Sequence, residues 1–306
     1  AAIGMAIGAS WNGARSFTAT SGPGVSLMSE FLGLAYFAEI PTVLFNVQRA
    51  GPSTGMPTRT QQSDILSCAY ASHGDTKQVL LFPSTPRECF DFGALSFDLA
   101  ERLQTPIILM SDLDLGMNDN MSEPLAWDDE RKYDRGKVLT AEQLEEGVEF
   151  GRYLDVDGDA ICYRTYPGTH PTKGAFFTRG TSRNEYAVYT EKGEEYEANM
   201  LRLLRKWDTI NEYVPAPITV DCGVETEFIE RHKQVFVIEQ NRDAQLRTLL
   251  MAEFEFGPDK LKSVLCFDGT PISARNIRKQ IKTHLNSDNV LPLHRNTALL
   301  RAGESR

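Results

Sequence analysis

The first third of the chain alternates between short apolar runs and longer segments with helical spacing. Residues 16–20 (SFTAT) form a β-type run, and residues 25–38 carry apolar side chains at helical intervals after a Gly-Pro turn. Residues 41–47 (PTVLFNV) are almost continuously apolar, as is typical of a strand buried on both faces of a parallel sheet. The order strand, turn, helix, strand predicts a right-handed βαβ unit.

The same alternation continues to about residue 115. Thr85 is the expected N-cap of a helix, because Pro86 suits the first helical position and Glu88 suits the third. This repeat of strands and helices predicts an α/β fold with a doubly wound sheet for residues 1–115. The further predicted elements are helices at residues 61–72 and 86–102 and strands at residues 78–82 (QVLLF) and 106–110 (PIILM).

A smaller α/β unit is predicted in the last third, after a long connection. Residues 116–160 are polar and acidic with one expected helix at about 141–150, and residues 160–190 are rich in Gly, Pro and Thr. The remaining predicted elements are helices at residues 194–207, 243–253 and 273–285 and strands at residues 235–239 (VFVIE) and 263–267 (SVLCF). The predicted divisions are a first domain at 1–115, a connection at 116–217, a smaller α/β domain at 218–287 and a tail at 288–306.

Two features indicate that the sequence is part of a longer polypeptide. The chain opens on AAIGMAIGAS, without an initiator Met and with the spacing of a helix already under way. The passage at residues 217–224 leads directly toward a strand, where a complete doubly wound domain usually has a further strand and helix. We therefore expect residues before Ala1, and either a trimmed second domain or residues absent near that passage.

The composition of the chain argues against several classes of protein and of binding site. The 306 residues include 32 basic and 42 acidic side chains, a net charge of −10, which argues against broad nucleic-acid binding. Because long apolar runs and a basic N-terminal region are absent, we expect no membrane span, no signal peptide and a cytoplasmic location. The dispersed cysteines predict buried thiols rather than a disulfide framework, a zinc site or an iron–sulfur site in this chain. They are Cys68, Cys89, Cys162, Cys222 and Cys266.

The densest group of candidate site residues lies at residues 46–58 (NVQRAGPSTGMPT), directly after a buried strand. Ligands of open α/β sheets bind beyond the carboxyl ends of the strands, so Arg49 is placed to bind an anion. Its guanidinium can hold a carboxylate through two parallel hydrogen bonds. The alternative is a surface loop with one solvated arginine. The loop residues are Gly51, Pro52, Gly55 and Pro57, which restrict the backbone, and Ser53, Thr54 and Thr58, which offer hydroxyl donors.

A second candidate is the turn formed by Ser21, Gly22, Pro23 and Gly24, between a predicted strand and a predicted helix. Free N–H groups at a helix start favour an anion or the close approach of a ligand to the backbone. The turn lacks the GxGxxG spacing of a dinucleotide site. A simple connection between strand and helix is therefore the alternative explanation.

Other polar groups give weaker indications, and structural roles are expected for them. The aspartates at residues 155–159 (DVDGD) resemble a calcium loop but lack the downstream bidentate glutamate, so a solvated turn is expected. Asp112 and Asp114 follow a strand and are expected to cap a loop rather than to bind a metal. The five histidines are dispersed, and His170, in a rigid PGTHP loop, is expected to be structural.

Several segments resemble those of a known enzyme family. Residues 18–58, which end in QRAGPSTGMPT, are similar to the thiamine-diphosphate pyrimidine-binding domain of 2-oxoacid:ferredoxin oxidoreductase alpha subunits. Residues 163–191 (YRTYPGTHPTKGAFFTRGTSRNEYAVYTE) and 237–246 (VIEQNRDAQL) resemble later segments of the family. The form of the GPSTG string resembles the 2-oxoglutarate enzymes more than the pyruvate enzymes. The resemblance implies a doubly wound domain followed by a smaller, transketolase C-terminal-like α/β domain.

The resemblance also implies an activity, cofactors and partners. The family oxidatively decarboxylates a 2-oxoacid with coenzyme A to give acyl-CoA, carbon dioxide and reduced ferredoxin; 2-oxoglutarate would give succinyl-CoA. It implies that Arg49 binds the substrate carboxylate, that Thr58 helps to select substrates and that the turn at residues 21–24 lines the aminopyrimidine and substrate pocket. Finally, it implies a beta subunit that carries the diphosphate with its Mg2+ and a [4Fe-4S] cluster.

Parts of the family pattern are absent from this sequence. The cofactor-activating glutamate and the YPITP-type substrate loop are expected just before Ala1, and the N-terminal gamma-type domain is also missing. The alternatives are a pyruvate enzyme, a branched-chain oxoacid enzyme or a non-catalytic docking subunit of the same fold.

Overall fold

A four-stranded, fully parallel sheet forms the centre of the first part of the chain. The structure, a computed structural model, describes residues 1–218 and 225–286. The strand order is β1-β2-β4-β3, and because all neighbours run parallel, their carboxyl ends lie along one edge of the sheet. The strands are β1 (Phe17–Thr20), β2 (Thr42–Gln48), β3 (Val79–Leu81) and β4 (Pro106–Asp112).

Helices cover both faces of this sheet, as the apolar runs predict. Along β2, Val43 packs into one hydrophobic cluster and Leu44 into the other, because successive side chains of a strand point to opposite faces. Helices α1 and α2 supply the cluster around Leu44, whereas α4 and α7 supply the cluster around Val43. The doubly wound α/β architecture is thereby confirmed. The helices are α1 (Ala2–Trp11), α2 (Gly22–Ala38), α3 (Ile65–Ala69), α4 (Pro86–Leu103), α5 (Leu113–Met117), α6 (Ala141–Glu145) and α7 (Gly193–Ile210).

A second, two-stranded parallel sheet lies in the last part of the chain. Ile229, Val237 and Leu261 form its small hydrophobic core. The strands and helices predicted there are present within two residues of the expected bounds, whereas residues 219–224 and the predicted tail lie outside the described part of the chain. The domain divisions themselves remain a prediction. The elements are α8 (Glu225–Arg231), β5 (Val235–Glu239), α9 (Gln245–Phe254), β6 (Leu261–Leu265) and α10 (Ala274–Asn286).

Helix caps account for several of the element bounds. The hydroxyl of Thr85 accepts a hydrogen bond of 3.1 Å from the backbone N–H of Glu88, which confirms the predicted N-cap of α4. Gln104 directly follows α4 and Glu39 directly follows α2, and both residues adopt the left-handed conformation common just beyond helices. These endings return the chain directly to β4 and β2.

Two helix predictions were wrong in length. Of residues 61–72, only Ile65–Ala69 is helical, because the second unit binds the backbone of the residues just before them; the N–H of Gln62, for example, donates to the carbonyl of Gln240 at 2.9 Å. The helix expected at 141–150 ends at Glu145, since Gly147 takes a positive φ of 90° and turns the chain away.

A buried cluster of charges attaches the connection to the sheet. The carboxylate of Glu39 is fully buried and accepts hydrogen bonds from Arg202 and from Lys206, the latter at 3.1 Å. Arg152 adds a bond of 2.7 Å to the backbone carbonyl of Glu39. These bonds attach α7 and the connection to the end of α2, because the buried carboxylate is paired with cations from α7 and its backbone carbonyl with Arg152 of the connection. Within the described ranges, no helix is long and apolar enough to cross a membrane.

Candidate functional site

The loop after β2 is closed by its own backbone. The N–H of Ala50 donates to the carbonyl of Arg59 at 2.8 Å, and the N–H of Met56 donates to the carbonyl of Ala50 at 3.2 Å. Arg49 and Thr58 therefore each lie one residue away from the same hydrogen bond. The predicted tight loop is present at the carboxyl end of β2, with the hydroxyl-bearing side chains of Ser53, Thr54 and Thr58 exposed.

The shape of this loop depends on a glycine. Gly55 has a positive φ of 50°, and a Cβ at this position would lie 2.2 Å from the carbonyl oxygen of Ala50. Any larger residue would push the two sides of the loop apart. The peptide bond between Gly51 and Pro52 is cis, and Ser53 also has a positive φ.

Arg49 is half-buried and carries hydrogen-bonding capacity that the described chain does not use. Its Nε is shielded from solvent and has no hydrogen-bond partner within residues 1–218 and 225–286, nor does the side chain form an ion pair there. A guanidinium with free donors at the carboxyl end of a parallel strand can receive a carboxylate through two hydrogen bonds.

The turn at residues 21–24 begins α2 beside the end of β1. The N–H groups of Gly24 and Val25 donate to the carbonyl of Ser21 at 2.8 and 3.1 Å, and the Ser21 side chain makes no capping bond. A Cβ on Gly24 would lie 1.7 Å from the hydroxyl oxygen of Thr20, so glycine is required there for close packing. The side of Gly24 that lacks a Cβ is thus filled by the Thr20 side chain.

Asp64 binds two side chains of β2 directly before the loop, and the sequence pattern did not identify it. Its carboxylate accepts hydrogen bonds from the side-chain amides of Asn46 at 2.8 Å and Gln48 at 2.5 Å, two fully buried residues of β2. The same carboxylate lies 3.4 Å from where a Cβ on Gly22 would stand. The available signal was the pair of amides at alternate positions of an otherwise apolar strand, which places both on one face.

The two amides leave acceptors without partners. Because Asn46 and Gln48 both donate to Asp64, their side-chain oxygens face away from it, and neither oxygen has a hydrogen-bond partner in the described residues. Buried acceptors of this kind are costly unless a donor reaches them. A ligand with an amino group would satisfy them.

The aspartates outside this cluster form hydrogen bonds or ion pairs with other groups of the chain. Asp112 caps α5 by accepting from the N–H of Leu115 at 2.9 Å and also accepts from Gln62 at 2.9 Å, while Asp114 accepts from Asn118. In the DVDGD segment, Lys137 occupies the position of a cation. It bonds to Asp157 and Asp159, each at 2.7 Å.

His170 holds a loop in place, and the thiols of Cys68 and Cys162 are buried. The Nδ1 of His170 accepts backbone bonds from Thr172 and Lys173, and its Nε2 contacts Glu145, so the ring holds its loop against α6. Burial raises the pKa of the Cys68 and Cys162 thiols, that of Cys162 to about 11. Cys68, Cys89, Cys162 and Cys266 are unpaired, and Cys222 lies outside the described residues.

Comparison with known proteins places this arrangement in a family. Residues 1–200 match the family model described as pyruvate flavodoxin/ferredoxin oxidoreductase, thiamine-diphosphate-binding. The chain belongs to this family. The predicted family is thereby confirmed, and the matched residues contain both the loop after β2 and the turn before α2.

Individual relatives agree with the family match. The chain is 48% identical to the 2-oxoglutarate synthase subunit KorA of Methanothermobacter thermautotrophicus over 124 residues, 40% of this chain and 33% of that protein. It is 31% identical to the alpha subunit of 2-oxoacid:ferredoxin oxidoreductase 2 of Aeropyrum pernix, covering 94% of this chain and 50% of that one. The chain thus spans from about a third to about half of the length of these relatives.

A solved structure supports the fold. The chain is similar to a 2-oxoglutarate:ferredoxin oxidoreductase from Magnetococcus marinus, described with 2-oxoglutarate, coenzyme A and succinyl-CoA bound. The TM-score is 0.78 at 24% identity, and the match covers 92% of this chain and 55% of the other. Both sheets therefore fall within an architecture already seen in this kind of protein.

The residues at the carboxyl edge fit the thiamine diphosphate named by the family model. An aminopyrimidine ring offers an amino donor, and the unpartnered oxygens of Asn46 and Gln48 are acceptors that it could satisfy. At the turn, the Thr20 side chain packs against Gly24 and the Asp64 carboxylate lies near Gly22. The two unpartnered acceptors are the feature of this edge that fits the pyrimidine half of the cofactor.

Proposed function

We propose that the chain is part of the alpha subunit of a 2-oxoglutarate:ferredoxin oxidoreductase. The reaction is the oxidative decarboxylation of 2-oxoglutarate with coenzyme A to succinyl-CoA, carbon dioxide and reduced ferredoxin, and it is reversible. The observation that carries the proposal is the half-buried Arg49, whose Nε lacks a partner among the described residues, at the carboxyl end of β2. The 2-oxoglutarate synthase subunits among the relatives support the choice of substrate.

In this proposal, each group of residues at the carboxyl edge of the first sheet has its own role. Arg49 holds the 2-oxoacid carboxylate, which fixes the orientation of the reacting carbonyl. Thr58 helps to select the substrate, and the loop from Gly51 to Gly55 shapes the wall around it. The turn at residues 21–24 lies against the cofactor ring. Thiamine diphosphate supplies, when bound, the nucleophilic carbon and the electron sink that side chains cannot provide.

The proposal includes a partner subunit. The loop after β2, residues 49–59, is termed the substrate loop. Its residues 52–59 are exposed, so it forms an open face of the described chain. We assign the diphosphate, its Mg2+ and a [4Fe-4S] cluster to a beta subunit that covers this face and passes electrons to ferredoxin. Coenzyme A acts as the acyl acceptor, and the cytoplasmic location expected from the sequence remains a prediction.

A broader 2-oxoacid specificity is the second candidate. The Aeropyrum pernix relative, which aligns with 94% of this chain, is named for 2-oxoacids in general. Pyruvate and branched-chain oxoacids carry one carboxylate, which Arg49 alone could hold. A dicarboxylate needs a second anchor, and residues of the beta subunit or of the longer polypeptide are candidates for it.

Steady-state kinetics of the complete alpha polypeptide with its beta partner tests both candidates. Reduction of ferredoxin or viologen is followed with 2-oxoglutarate, pyruvate and branched-chain oxoacids, with and without coenzyme A. A highest kcat/KM for 2-oxoglutarate, dependent on coenzyme A, supports the proposal, whereas similar values for all oxoacids favour the broader specificity. A folded complex that binds thiamine diphosphate and reduces nothing would favour a docking subunit.

A further inference from the structure

The second α/β unit contacts the site through the segment at residues 60–66. This segment directly follows the substrate loop. The N–H of Gln62 donates to the carbonyl of Gln240 at 2.9 Å, and the side chain of Asn241 donates to the carbonyl of Gln62 at 3.1 Å. The end of β5 therefore binds the backbone just beyond the loop.

Gln245 makes the most complete contact of this kind. Its Oε1 accepts from the N–H of Leu66 at 3.1 Å, and its Nε2 donates to the carbonyl of Ser63 at 2.6 Å. The side chain is only 9% exposed, so few water molecules can replace these bonds. One amide thus satisfies two backbone groups on either side of Asp64.

The position of Gln245 is itself fixed. It is the first residue of α9, and the buried carboxylate of Glu239 accepts from the next two N–H groups, those of Leu246 at 2.7 Å and Arg247 at 3.1 Å. The N–H of Gln245 donates to the side chain of Asn241 at 3.2 Å. Glu239 and Asn241 of the VIEQNRDAQL segment thus hold the start of α9 so that the Gln245 amide reaches Ser63 and Leu66.

We propose that Gln245 is a positioning residue for the site on β2. It holds Ser63 and Leu66, these hold Asp64 between them, and Asp64 orients the amides of Asn46 and Gln48 directly before Arg49. The second unit thereby sets the geometry of the substrate loop without touching the substrate. Its consequence for turnover rests on the proposed function, whereas its effect on the segment does not.

Gln280 provides a matched control. It lies in α10 of the same unit, and its side chain accepts from the N–H of Leu265 at 3.1 Å and donates to the carbonyl of Leu265 at 2.8 Å. Like Gln245, it binds one backbone donor and one backbone acceptor, and it also donates to the side chain of Asn276 at 2.9 Å. Because both groups belong to its own unit, Gln280→Ala removes the same kinds of bonds without reaching the site.

The first experiment is amide hydrogen exchange of the complete alpha polypeptide with its beta partner. In Gln245→Ala, the amides of residues 49–66, above all that of Leu66, should exchange about tenfold faster, since each lost hydrogen bond changes an opening equilibrium by roughly that factor. In Gln280→Ala the same amides should keep their wild-type rates. Unchanged exchange of Leu66 in Gln245→Ala, or equal acceleration in both variants, would overturn the proposal.

Kinetics gives the second readout. Gln245→Ala should lower kcat/KM for the preferred 2-oxoacid about tenfold, mainly through KM, while its melting temperature falls no further than that of Gln280→Ala. Equal kcat/KM in both variants would also overturn the positioning role. A wild-type complex without oxoacid activity would contradict the proposed function, but the exchange comparison would still decide whether Gln245 holds the segment.

Discussion

Asp64 accepts a hydrogen bond of 2.5 Å from the side-chain amide of Gln48, the last residue of β2 and the immediate neighbour of Arg49. Gln48 is fully buried, so this bond fixes the side chain at the very end of the strand, directly before the loop. The same carboxylate lies 3.4 Å from where a Cβ on Gly22, in the turn before α2, would stand. Asp64 thus lies close to both of the parts of the site that the sequence predicts separately.

Asp64→Asn should destabilise the protein. An asparagine offers one acceptor oxygen and one NH2 group, and the NH2 group would face the donor of either Asn46 or Gln48. Losing a buried hydrogen bond to a charged group should lower the free energy of unfolding by about 1.5–3 kcal/mol. Urea denaturation of the complete subunit measures this change.

Asp91→Asn serves as the control for that variant. Asp91 pairs with Arg87 on the exposed face of α4 at 2.8 Å, so its loss should change the free energy of unfolding by less than about 0.5 kcal/mol. If both substitutions cost the same, Asp64 has no special part in holding the end of β2.

Gly55→Ala should destabilise the substrate loop by more than the strain of a positive φ alone, because the new side chain would also clash with the backbone. The new Cβ would lie 2.2 Å from the carbonyl of Ala50, in addition to the strain of a positive φ. Gly158 also has a positive φ, of 78°, but has nothing within 4 Å of the corresponding position. Gly158→Ala should therefore cost only the conformational strain, about 1–2 kcal/mol.

The two glycine variants are compared by their melting temperatures and by their KM values for the 2-oxoacid. Gly55→Ala should show the larger fall in melting temperature and a raised KM for the 2-oxoacid, whereas Gly158→Ala should keep the wild-type KM. A wild-type KM in Gly55→Ala would mean that the shape of the loop does not matter for substrate binding.

Glu39→Gln should be strongly destabilising. The substitution removes the negative charge from a fully buried site and leaves Arg202 and Lys206 without their shared partner. Breaking a buried ion pair in this way costs about 3–5 kcal/mol. Glu30→Gln, on the exposed side of the same helix, is the control and should change the free energy of unfolding by less than about 0.5 kcal/mol.

The same cluster predicts a pH dependence. Burial by itself would raise the pKa of Glu39, but Arg202 and Lys206 outweigh it and hold the pKa below its ordinary value of 4.5. Because the folded-state pKa is the lower one, the contribution of Glu39 to stability is present above about pH 4.5 and is lost as the pH falls further. The stability difference between wild type and Glu39→Gln should therefore narrow on acidification; a constant difference from pH 7 to pH 3 would contradict this account.

Much of the fold follows from local patterns. The buried strands were predictable because runs such as PTVLFNV and PIILM are almost continuously apolar, and the start of α4 was predictable because Thr85 and Pro86 act within one turn. The loop containing Arg49 was also recognisable, since its position after a buried strand and its glycines and prolines are local features.

The contacts that organise the site are not local. Gln245 and Leu66 are 179 residues apart, and Glu39 and Arg202 are 163 residues apart. A helix was wrongly expected over residues 61–72 because the pattern shows apolar spacing but not the bonds from the second unit that hold residues 60–64 outside the helix. Such long-range pairs are defined only once the two sheets are brought together.

The central claim, that Arg49 binds the substrate carboxylate, is tested most directly by kcat/KM for 2-oxoglutarate in Arg49→Ala and Arg49→Lys. Both are measured in the complete complex, with Arg87→Ala, on the exposed face of α4, as the control. The account predicts a loss of about 2–4 kcal/mol in transition-state stabilisation for Arg49→Ala and a smaller loss for Arg49→Lys, which keeps the charge but not the bidentate geometry. Wild-type kcat/KM in Arg49→Ala, with the complex intact, would contradict it.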